Sequence, residues 1–129
     1  MTKCNSSTMV DVIGGSGFIG TRFCRRLACK DSASFSIIDK VSSTIFPEKV
    51  KIADVRSAPD LEASVSDGAI IVNLAAEHRD DVMPRSLYDE VNLDGAKNVC
   101  QIARAKNVRA IVFTSTVAVY GFAEVGTNE

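Results

Sequence analysis

The chain has 129 residues, of which 46% are hydrophobic, and its 15 Lys and Arg nearly balance its 16 Asp and Glu. This length suits one folded domain, and the hydrophobic share supports a core, which excludes a disordered chain. A net charge of −1 offers no basic surface for a phosphate backbone, so we expect no nucleic-acid partner. No apolar run approaches the roughly 20 residues of a membrane helix, and the polar first residues lack a signal-peptide pattern. We therefore predict a cytoplasmic protein that does not bind membranes.

The cysteines and the histidine point away from metal binding. The four cysteines, Cys4, Cys24, Cys29 and Cys100, form no C-x-x-C pair, and His78 is the only histidine. This pattern predicts no zinc site and no other metal site. Because disulfide frameworks are typical of small secreted chains, we expect reduced thiols.

Short apolar runs alternate with helical patterns along the chain. In the first predicted helix Phe18, Ile19, Phe23 and Leu27 recur at helical spacing. The first, fourth and fifth predicted strands are continuous apolar runs, as expected for strands buried on both faces of a parallel sheet. Their order predicts an α/β doubly wound parallel sheet of about five strands with helices on both faces. The predicted strands are residues 9–13, 35–38, 50–53, 69–74 and 109–113, and the predicted helices are residues 17–30, 59–65 and 86–105.

The strand ends are where this topology predicts a site. All strands of a parallel sheet end at one edge, and ligands bind there at the point where strand order reverses. We therefore expect functional residues directly after the strands. These are residues 14–20, Asp39, Asp54, residues 75–78, and residues 114–116, which begin with Thr114.

A glycine-rich turn, Gly14-Gly15-Ser16-Gly17-Phe18-Ile19-Gly20, follows the first strand and opens a helix. The free N–H groups and the dipole of a helix start attract an anion. Gly14 would permit the tight turn, Gly17 the close approach of a pyrophosphate, and Gly20 the close packing of helix on strand. No Gly-Lys-Ser/Thr follows, so a mononucleotide P-loop is not indicated. The turn predicts a dinucleotide site, and a tight turn without a ligand is the alternative.

An acidic residue at the end of the second strand supports this prediction. The dinucleotide fingerprint has a carboxylate about 20 residues beyond the glycines, where it binds the adenosine ribose, and Asp39 meets this spacing. A carboxylate repels a 2′-phosphate, so we predict NAD, with NADP less favoured, and Lys40 softens the preference. For Asp39, and more so for Asp54, a residue that simply forms a turn is the alternative.

Five segments, in order along the chain, resemble the motifs of one family. Besides the glycine turn they are Asp54-Val55-Arg56, Asn73-Leu74-Ala75-Ala76, Val91-Asn92-Leu93-Asp94-Gly95 and Phe113-Thr114-Ser115-Thr116-Val117-Ala118-Val119-Tyr120-Gly121. Together they are similar to the extended short-chain dehydrogenase/reductase superfamily, in its NAD-dependent nucleotide-sugar epimerase/dehydratase branch. The resemblance covers nearly the whole chain from about Met9. One departure is Ile13, which stands where the family usually has Thr.

The resemblance implies a Rossmann fold that binds NAD. It implies that backbone groups of the glycine turn contact the pyrophosphate, that Asp39 binds the ribose, and that Asp54 and Val55 hold the adenine. The residues after the fourth strand would pack along the cofactor. With the strand-end positions, the expected cofactor-binding residues are Gly14, Ser16, Gly17, Phe18, Ile19, Gly20, Asp39, Lys40, Asp54, Val55, Leu74, Ala75, Ala76, His78, Asn92 and Thr114.

Some of these positions carry alternatives. His78 stands where the family often has a residue near the nicotinamide ribose or the substrate, and an ordinary loop residue is the alternative. Asn92 is as compatible with a structural hydrogen bond toward the fourth or fifth strand as with a functional one. Thr116 stands at the family's catalytic Ser/Thr, whose hydroxyl would bond the reacting oxygen of the substrate. Tyr120 is interpreted as a packing residue.

The family's catalytic Y-x-x-x-K pair, in which the lysine activates the phenol as a general base, is not in this sequence. Tyr88 and Tyr120 are followed four residues later by Asn and Glu. We expect residues 1–129 to be the N-terminal NAD-binding domain of an oxidoreductase or isomerase without its C-terminal substrate-binding part. The parent enzyme would act on a nucleotide-sugar substrate by transient hydride transfer, while this chain binds NAD without turnover. A non-catalytic dinucleotide-binding or sensing module is the alternative, and a homodimer is possible in either case.

Overall fold

The structure, a computed structural model, describes residues 7–31, 33–116, 120–122 and 124–126. Within these ranges five parallel strands form one sheet in the order β3-β2-β1-β4-β5, and helices connect them. The predicted doubly wound α/β fold is confirmed. The strands are β1 (Thr8–Ile13), β2 (Ala33–Asp39), β3 (Val50–Ile52), β4 (Ile70–Asn73) and β5 (Ala110–Phe113); the α-helices are α1 (Phe18–Ala28), α2 (Ala58–Ser64), α3 (Ser86–Asp89) and α4 (Gly95–Ala105), with a 3₁₀ turn at Pro47–Lys49 and a π-helical turn at Glu90–Asp94.

Strand order reverses beside β1. The chain runs from β1 to β2 and β3 on one side and then crosses to β4 on the other, so β1 is hydrogen-bonded to both β2 and β4. Val12 lies opposite Ile37 on one side and Val72 on the other. The switch point of the sheet is therefore between β1 and β4, where the glycine turn begins.

Two core layers enclose the sheet because alternate residues of a strand face opposite sides. One layer lies under α1 and contains Val12, Cys24 and Ile37. The other lies under α2 and α4 and contains Ile13, Leu61, Ile71, Val99 and Ile102 among others. β1 and β4 are thus buried on both faces, as predicted, and so is β2, for which no continuous apolar run was identified.

The fifth strand departs from that prediction. All four residues of Ala110–Phe113 are exposed, and Phe113 retains 62% of its accessible surface. In the described part of the chain β5 pairs only with β4 and forms one edge of the sheet. An apolar run therefore predicted the strand correctly but its burial wrongly, since burial depends on neighbours that sequence periodicity does not reveal.

Two helical predictions also need correction. Phe18 and Ile19 do not belong to the buried face of α1, because they lie in its first turn and are 72% and 61% exposed, whereas Gly20 and Cys24 face the core. The single helix predicted over residues 86–105 is divided by the π-helical turn Glu90–Asp94. None of the helices within the described ranges is both long and apolar enough to cross a membrane.

Candidate functional site

The glycine turn is held between the ends of β2 and β4. Gly14 has a positive φ of 77° and donates its N–H to the Ile38 carbonyl at 2.9 Å. A Cβ at Gly14 would lie 2.8 Å from the Ala75 nitrogen, so the turn lies directly against the segment that follows β4. Only glycine satisfies both the left-handed backbone and this close approach. Two of the predicted strand-end segments therefore meet at one edge of the sheet.

The other two glycines of the fingerprint differ in what they contact. A Cβ at Gly20 would lie 2.5 Å from Gly15 Cα, so the packing of α1 on the turn requires glycine there. At Gly17 the nearest atom to such a Cβ is the Gly14 carbonyl oxygen, at 3.4 Å, and Gly17 is exposed. Internal packing thus does not require glycine at position 17. The space that its missing side chain leaves fits the close approach of a pyrophosphate.

The start of α1 is electrostatically suited to an anion. Gly17 is its N-cap residue, no side chain caps the helix, and its first turn contains no acidic residue. The first amide N–H groups of a helix have no intrahelical acceptor, and the dipole is positive there. The Arg22 guanidinium lies 3.5 Å from the centre of the Phe18 ring and adds positive charge near this end.

Asp39 lies beside the glycine turn. Its Oδ2 accepts a hydrogen bond from the Ser16 amide at 3.0 Å, and its Oδ1 accepts one from the Val41 amide at 3.2 Å. The Ser16 hydroxyl donates to the Val41 carbonyl at 2.9 Å. The carboxylate is half-buried and Lys40 is exposed. The end of β2 and the glycine turn therefore form one hydrogen-bonded unit, which brings together the two elements of the dinucleotide fingerprint.

Asp54 follows β3 and pairs with Arg56. The Arg56 guanidinium donates to Asp54 Oδ2 at 2.7 Å and lies 3.4 Å from the Glu90 carboxylate. The hydrogen bond from Arg56 lowers the pKa of Asp54 below its ordinary value, while partial burial opposes the change. Asp54 is therefore a carboxylate at neutral pH, and the neighbouring Val55 is buried.

The segment after β4 is fixed by its own strand and by the helical region beyond it. The Leu74 amide donates to the Ile13 carbonyl at 2.8 Å, which extends the pairing of β4 with β1. The Asn92 side chain accepts from the Glu77 amide at 2.8 Å and donates to the Glu77 carbonyl at 2.9 Å. The structural hydrogen bond considered for Asn92 thus reaches the segment after β4 rather than β4 or β5.

For the other predicted site residues the structure gives a position after a strand but does not indicate a role. His78, Thr114 and Thr116 are exposed, as is Tyr120. Three residues of the last motif, Val117 to Val119, and also Cys4, lie outside the described residues. Among the residues that are described, no group of three or more His, Cys, Asp or Glu side chains is arranged to hold a metal ion.

Sequence reasoning missed the connections between the loops and the helices. The Asn98 side chain donates to the Val55 carbonyl at 2.9 Å, and Glu90 pairs with Arg56. Gly95, which belongs to a recognised motif, packs against Val55. Gly95 was the signal in the sequence that a close contact is formed here. The sequence could not identify Val55 as the partner, because it lies 40 residues away.

Residues 11–128 match the 3-beta hydroxysteroid dehydrogenase/isomerase family. The N-acetyl-alpha-D-glucosaminyl-diphospho-ditrans,octacis-undecaprenol 4-epimerase of Escherichia coli O157:H7 is 42% identical over 120 residues, which cover 92% of this chain and 35% of that enzyme. The UDP-glucose 4-epimerase of Vibrio cholerae is 28% identical, covering 84% of this chain and 34% of that enzyme. The chain thus spans about a third of these relatives.

Solved structures of 4-epimerases are also similar to this chain. The UDP-glucose 4-epimerase of Thermus thermophilus, in complex with NAD, is 25% identical with a TM-score of 0.80, and the match covers 95% of this chain and 42% of that chain. A UDP-galactose 4-epimerase structure, also 25% identical, has a TM-score of 0.79 and is matched over 92% of this chain and 42% of its own.

Proposed function

The chain belongs to the 3-beta hydroxysteroid dehydrogenase/isomerase family of the extended short-chain dehydrogenase/reductases, and from this membership we propose that it is the NAD-binding part of a sugar 4-epimerase. The observation that carries the proposal is the contact between the Asp39 carboxylate and the Ser16 amide, 3.0 Å apart. It joins the residue that would bind the ribose to the turn that would bind the pyrophosphate. Epimerase relatives and an NAD complex of similar fold support the same assignment.

Each half of the dinucleotide has candidate partners along this edge. The N–H groups of the first turn of α1 would bind the pyrophosphate, with Gly17 leaving room for it. Asp39 would accept hydrogen bonds from the adenosine ribose, and the loop of Asp54 and Val55 would hold the adenine. Leu74, Ala75 and Ala76 would pack along the cofactor, with His78, Asn92 and Thr114 near its nicotinamide half.

The preference for NAD over NADP follows from charge. A 2′-phosphate placed at Asp39 would meet a carboxylate that already accepts two amide hydrogen bonds. Lys40 follows Asp39 and is exposed, so its positive charge would reduce the repulsion. We propose NAD as the cofactor because the nearer charge at the ribose is negative.

Bound NAD would supply the redox chemistry, a reversible exchange of a hydride with a sugar carbon. The Thr116 hydroxyl would bond and orient the reacting oxygen of the substrate. The general base of the family, the tyrosine of Y-x-x-x-K, has no counterpart in residues 1–129. We therefore propose that this chain binds NAD without turning over a sugar.

The substrate of the parent enzyme is proposed to be a sugar linked through a diphosphate. The relative at 42% identity is named for a polyprenol-linked N-acetylglucosaminyl diphosphate. Of the relatives at 28–30%, two are named for UDP-sugars and one for a sterol carboxylate. The UDP-sugars and the polyprenol-linked sugar both carry a diphosphate on the sugar. The higher identity favours the polyprenol carrier, which differs from the nucleotide sugar expected from the motifs alone.

Calorimetric titration of the chain with NAD and NADP tests the proposal. We expect NAD to bind more tightly, and the Asp39→Asn variant to bind it about tenfold more weakly, since about one charge-assisted hydrogen bond is lost. Asp60→Asn, which changes an exposed carboxylate on α2, is the matched control. Tighter binding of NADP would contradict the assignment of Asp39, and absence of binding to either would contradict the function.

A further inference from the structure

The loop that contains Asp54 and Val55 is attached to α4 by a single polar contact of its backbone. The Asn98 side-chain amide donates to the Val55 carbonyl at 2.9 Å, and the contact is partly buried. The two residues are 43 positions apart in the sequence. Asn98 therefore fixes the loop at its centre, between the Asp54 carboxylate and the start of α2.

Gly95 contacts the same residue by packing. A Cβ on Gly95 would lie 2.9 Å from Val55 Cγ2 and 3.2 Å from its Cβ, and Gly95 is buried. Positions three apart lie on one face of a helix, so Gly95 and Asn98 present a joint surface to Val55. The glycine lets α4 approach the loop closely enough for the asparagine to reach the Val55 carbonyl.

The remaining attachment of the loop is weaker. Arg56 links Asp54 to Glu90 of the π-helical turn, but the guanidinium and the Glu90 carboxylate are both more than 40% exposed. Exposed ion pairs are screened by water and fix geometry poorly. Beside the packing of the buried Val55 side chain in the core, the contacts with Gly95 and Asn98 are therefore the less exposed links between the loop and the helical region that follows β4.

We propose that Asn98 and Gly95 are positioning residues that hold the Asp54–Val55 loop in the conformation that distinguishes adenine from other bases. The inference rests on the proposed NAD-binding function and goes beyond it, because neither residue would touch the cofactor. Displacing the Val55 backbone moves the neighbouring Asp54 carboxylate, the group able to accept a hydrogen bond from the 6-amino group of adenine.

The test compares NAD with nicotinamide hypoxanthine dinucleotide, in which an oxygen replaces that amino group. The wild-type chain is expected to bind NAD about tenfold more tightly, the value of about one hydrogen bond. In Asn98→Ala the ratio of the two affinities falls to about one. A role in stability alone would weaken both dinucleotides equally and leave the ratio unchanged.

Asn92→Ala is the matched control. The Asn92 side chain also hydrogen-bonds the backbone of a loop, at Glu77, but it does so from the other end of the same helical region. This variant is expected to weaken both dinucleotides by the same factor and to keep the wild-type ratio. Gly95→Ala provides a second approach if Asn98→Ala does not fold. Its added methyl group would press on the Val55 side chain and should also reduce the ratio.

The outcomes separate the two proposals. If the wild-type chain binds neither dinucleotide, the proposed function fails. If it binds both equally, or if Asn98→Ala and Gly95→Ala keep the wild-type ratio, the function stands and the positioning role is overturned.

Discussion

At the end of β3, Arg56 lies between two carboxylates, those of Asp54 and Glu90, and bonds the first more closely. The bond lowers the pKa of Asp54, so the pair exists wherever Asp54 is ionised. A group whose pKa falls on folding stabilises the protein above its unfolded pKa and loses that contribution as the pH falls through its folded pKa.

Arg56→Met is therefore expected to reduce the free energy of unfolding at pH 7 by less than about 1 kcal/mol, because the pair is partly exposed. The difference from wild type should shrink as the pH falls below the ordinary Asp54 value of 3.8 and vanish below its lowered pKa. Urea unfolding at several pH values measures this. The Glu90→Gln variant measures the contribution of the weaker Arg56–Glu90 contact alone. If the difference in unfolding free energy between Arg56→Met and wild type grew as the pH fell, the Arg56–Asp54 pair would not be its cause.

The cysteine thiols differ in their burial. Cys24 lies in the core under α1, where desolvation raises its pKa to about 11, whereas Cys29 and Cys100 are exposed. We expect iodoacetamide at pH 8 to modify Cys29 and Cys100 in the folded protein and to spare Cys24, whose thiolate fraction is about one in a thousand. Mass mapping of each peptide measures this. Equal labelling of Cys24 would show that α1 opens readily, and labelling in denaturant is the control.

At the scale of elements, the glycine turn and α1 combine two kinds of glycine. Gly14 and Gly20 are required by contacts inside the protein, whereas a Cβ at Gly17 would meet only the Gly14 carbonyl oxygen, at an ordinary contact distance of 3.4 Å. A fingerprint read from sequence treats the three alike, because their spacing is all that it contains. The structure separates those that shape the turn from the one that would admit a ligand.

Gly20→Ala is expected to destabilise the fold by about 3 kcal/mol or more, since its methyl group would overlap the backbone of Gly15. Gly17→Ala should cost less than about 1 kcal/mol, the difference between glycine and alanine at an N-cap. The second variant should nevertheless bind NAD at least tenfold more weakly. Thermal unfolding and calorimetry separate the effects, and equal loss of stability in both variants would refute the distinction.

The π-helical turn Glu90–Asp94 is the element that no periodicity indicated. Such turns are frequent at functional sites, and this one, together with the helix that follows it, contacts two different loops. Asn92 within it binds Glu77, and Asn98 beyond it binds Val55. The apolar spacing predicted a continuous helix from Ser86. It did not indicate that the helix changes from α-helical to π-helical hydrogen bonding at Glu90–Asp94.

At the scale of the whole molecule, the two edges of the described sheet differ. The β3 edge is short and has Lys49 and Lys51 beside Val50, whereas β5 consists of four exposed residues without charge, Ala110–Phe113. Charged side chains protect an edge strand from pairing with another chain, and apolar ones do not. The surface of β5 therefore favours association between copies.

We expect the chain to self-associate through β5 at high concentration. Val112→Lys should shift it toward monomer by placing a charge on that edge, and Ile52→Lys on the opposite edge should not. Sedimentation equilibrium measures both variants, which change side chains of similar exposure, 51% and 64%. A wild-type chain that stays monomeric, or an equal effect of both substitutions, would contradict association through β5.

A buried carboxylate in the middle of the sheet also depends on tertiary structure. Asp11 interrupts the apolar run of β1 and is fully buried, yet it accepts hydrogen bonds from the Ser36 hydroxyl and the Ser66 amide, both at 2.6 Å. Ser66 lies 55 residues away in the sequence. The sequence alone offers no partner for Asp11, because the acceptors and donors of a buried network are assembled by the fold.

Local sequence was enough to establish the strand and helix order, the glycine turn, the distance to Asp39 and the membership of the family. These features depend on short-range periodicity and on backbone conformations that few residue types adopt. Residues that are close together in the sequence are therefore enough to identify them. The difference between Gly17 and the two glycines that internal packing requires, and the attachment of the Val55 loop to Asn98, became visible only in the folded chain. Those features depend on which distant segments pack together, and the energy of packing is shared among residues that no local pattern connects.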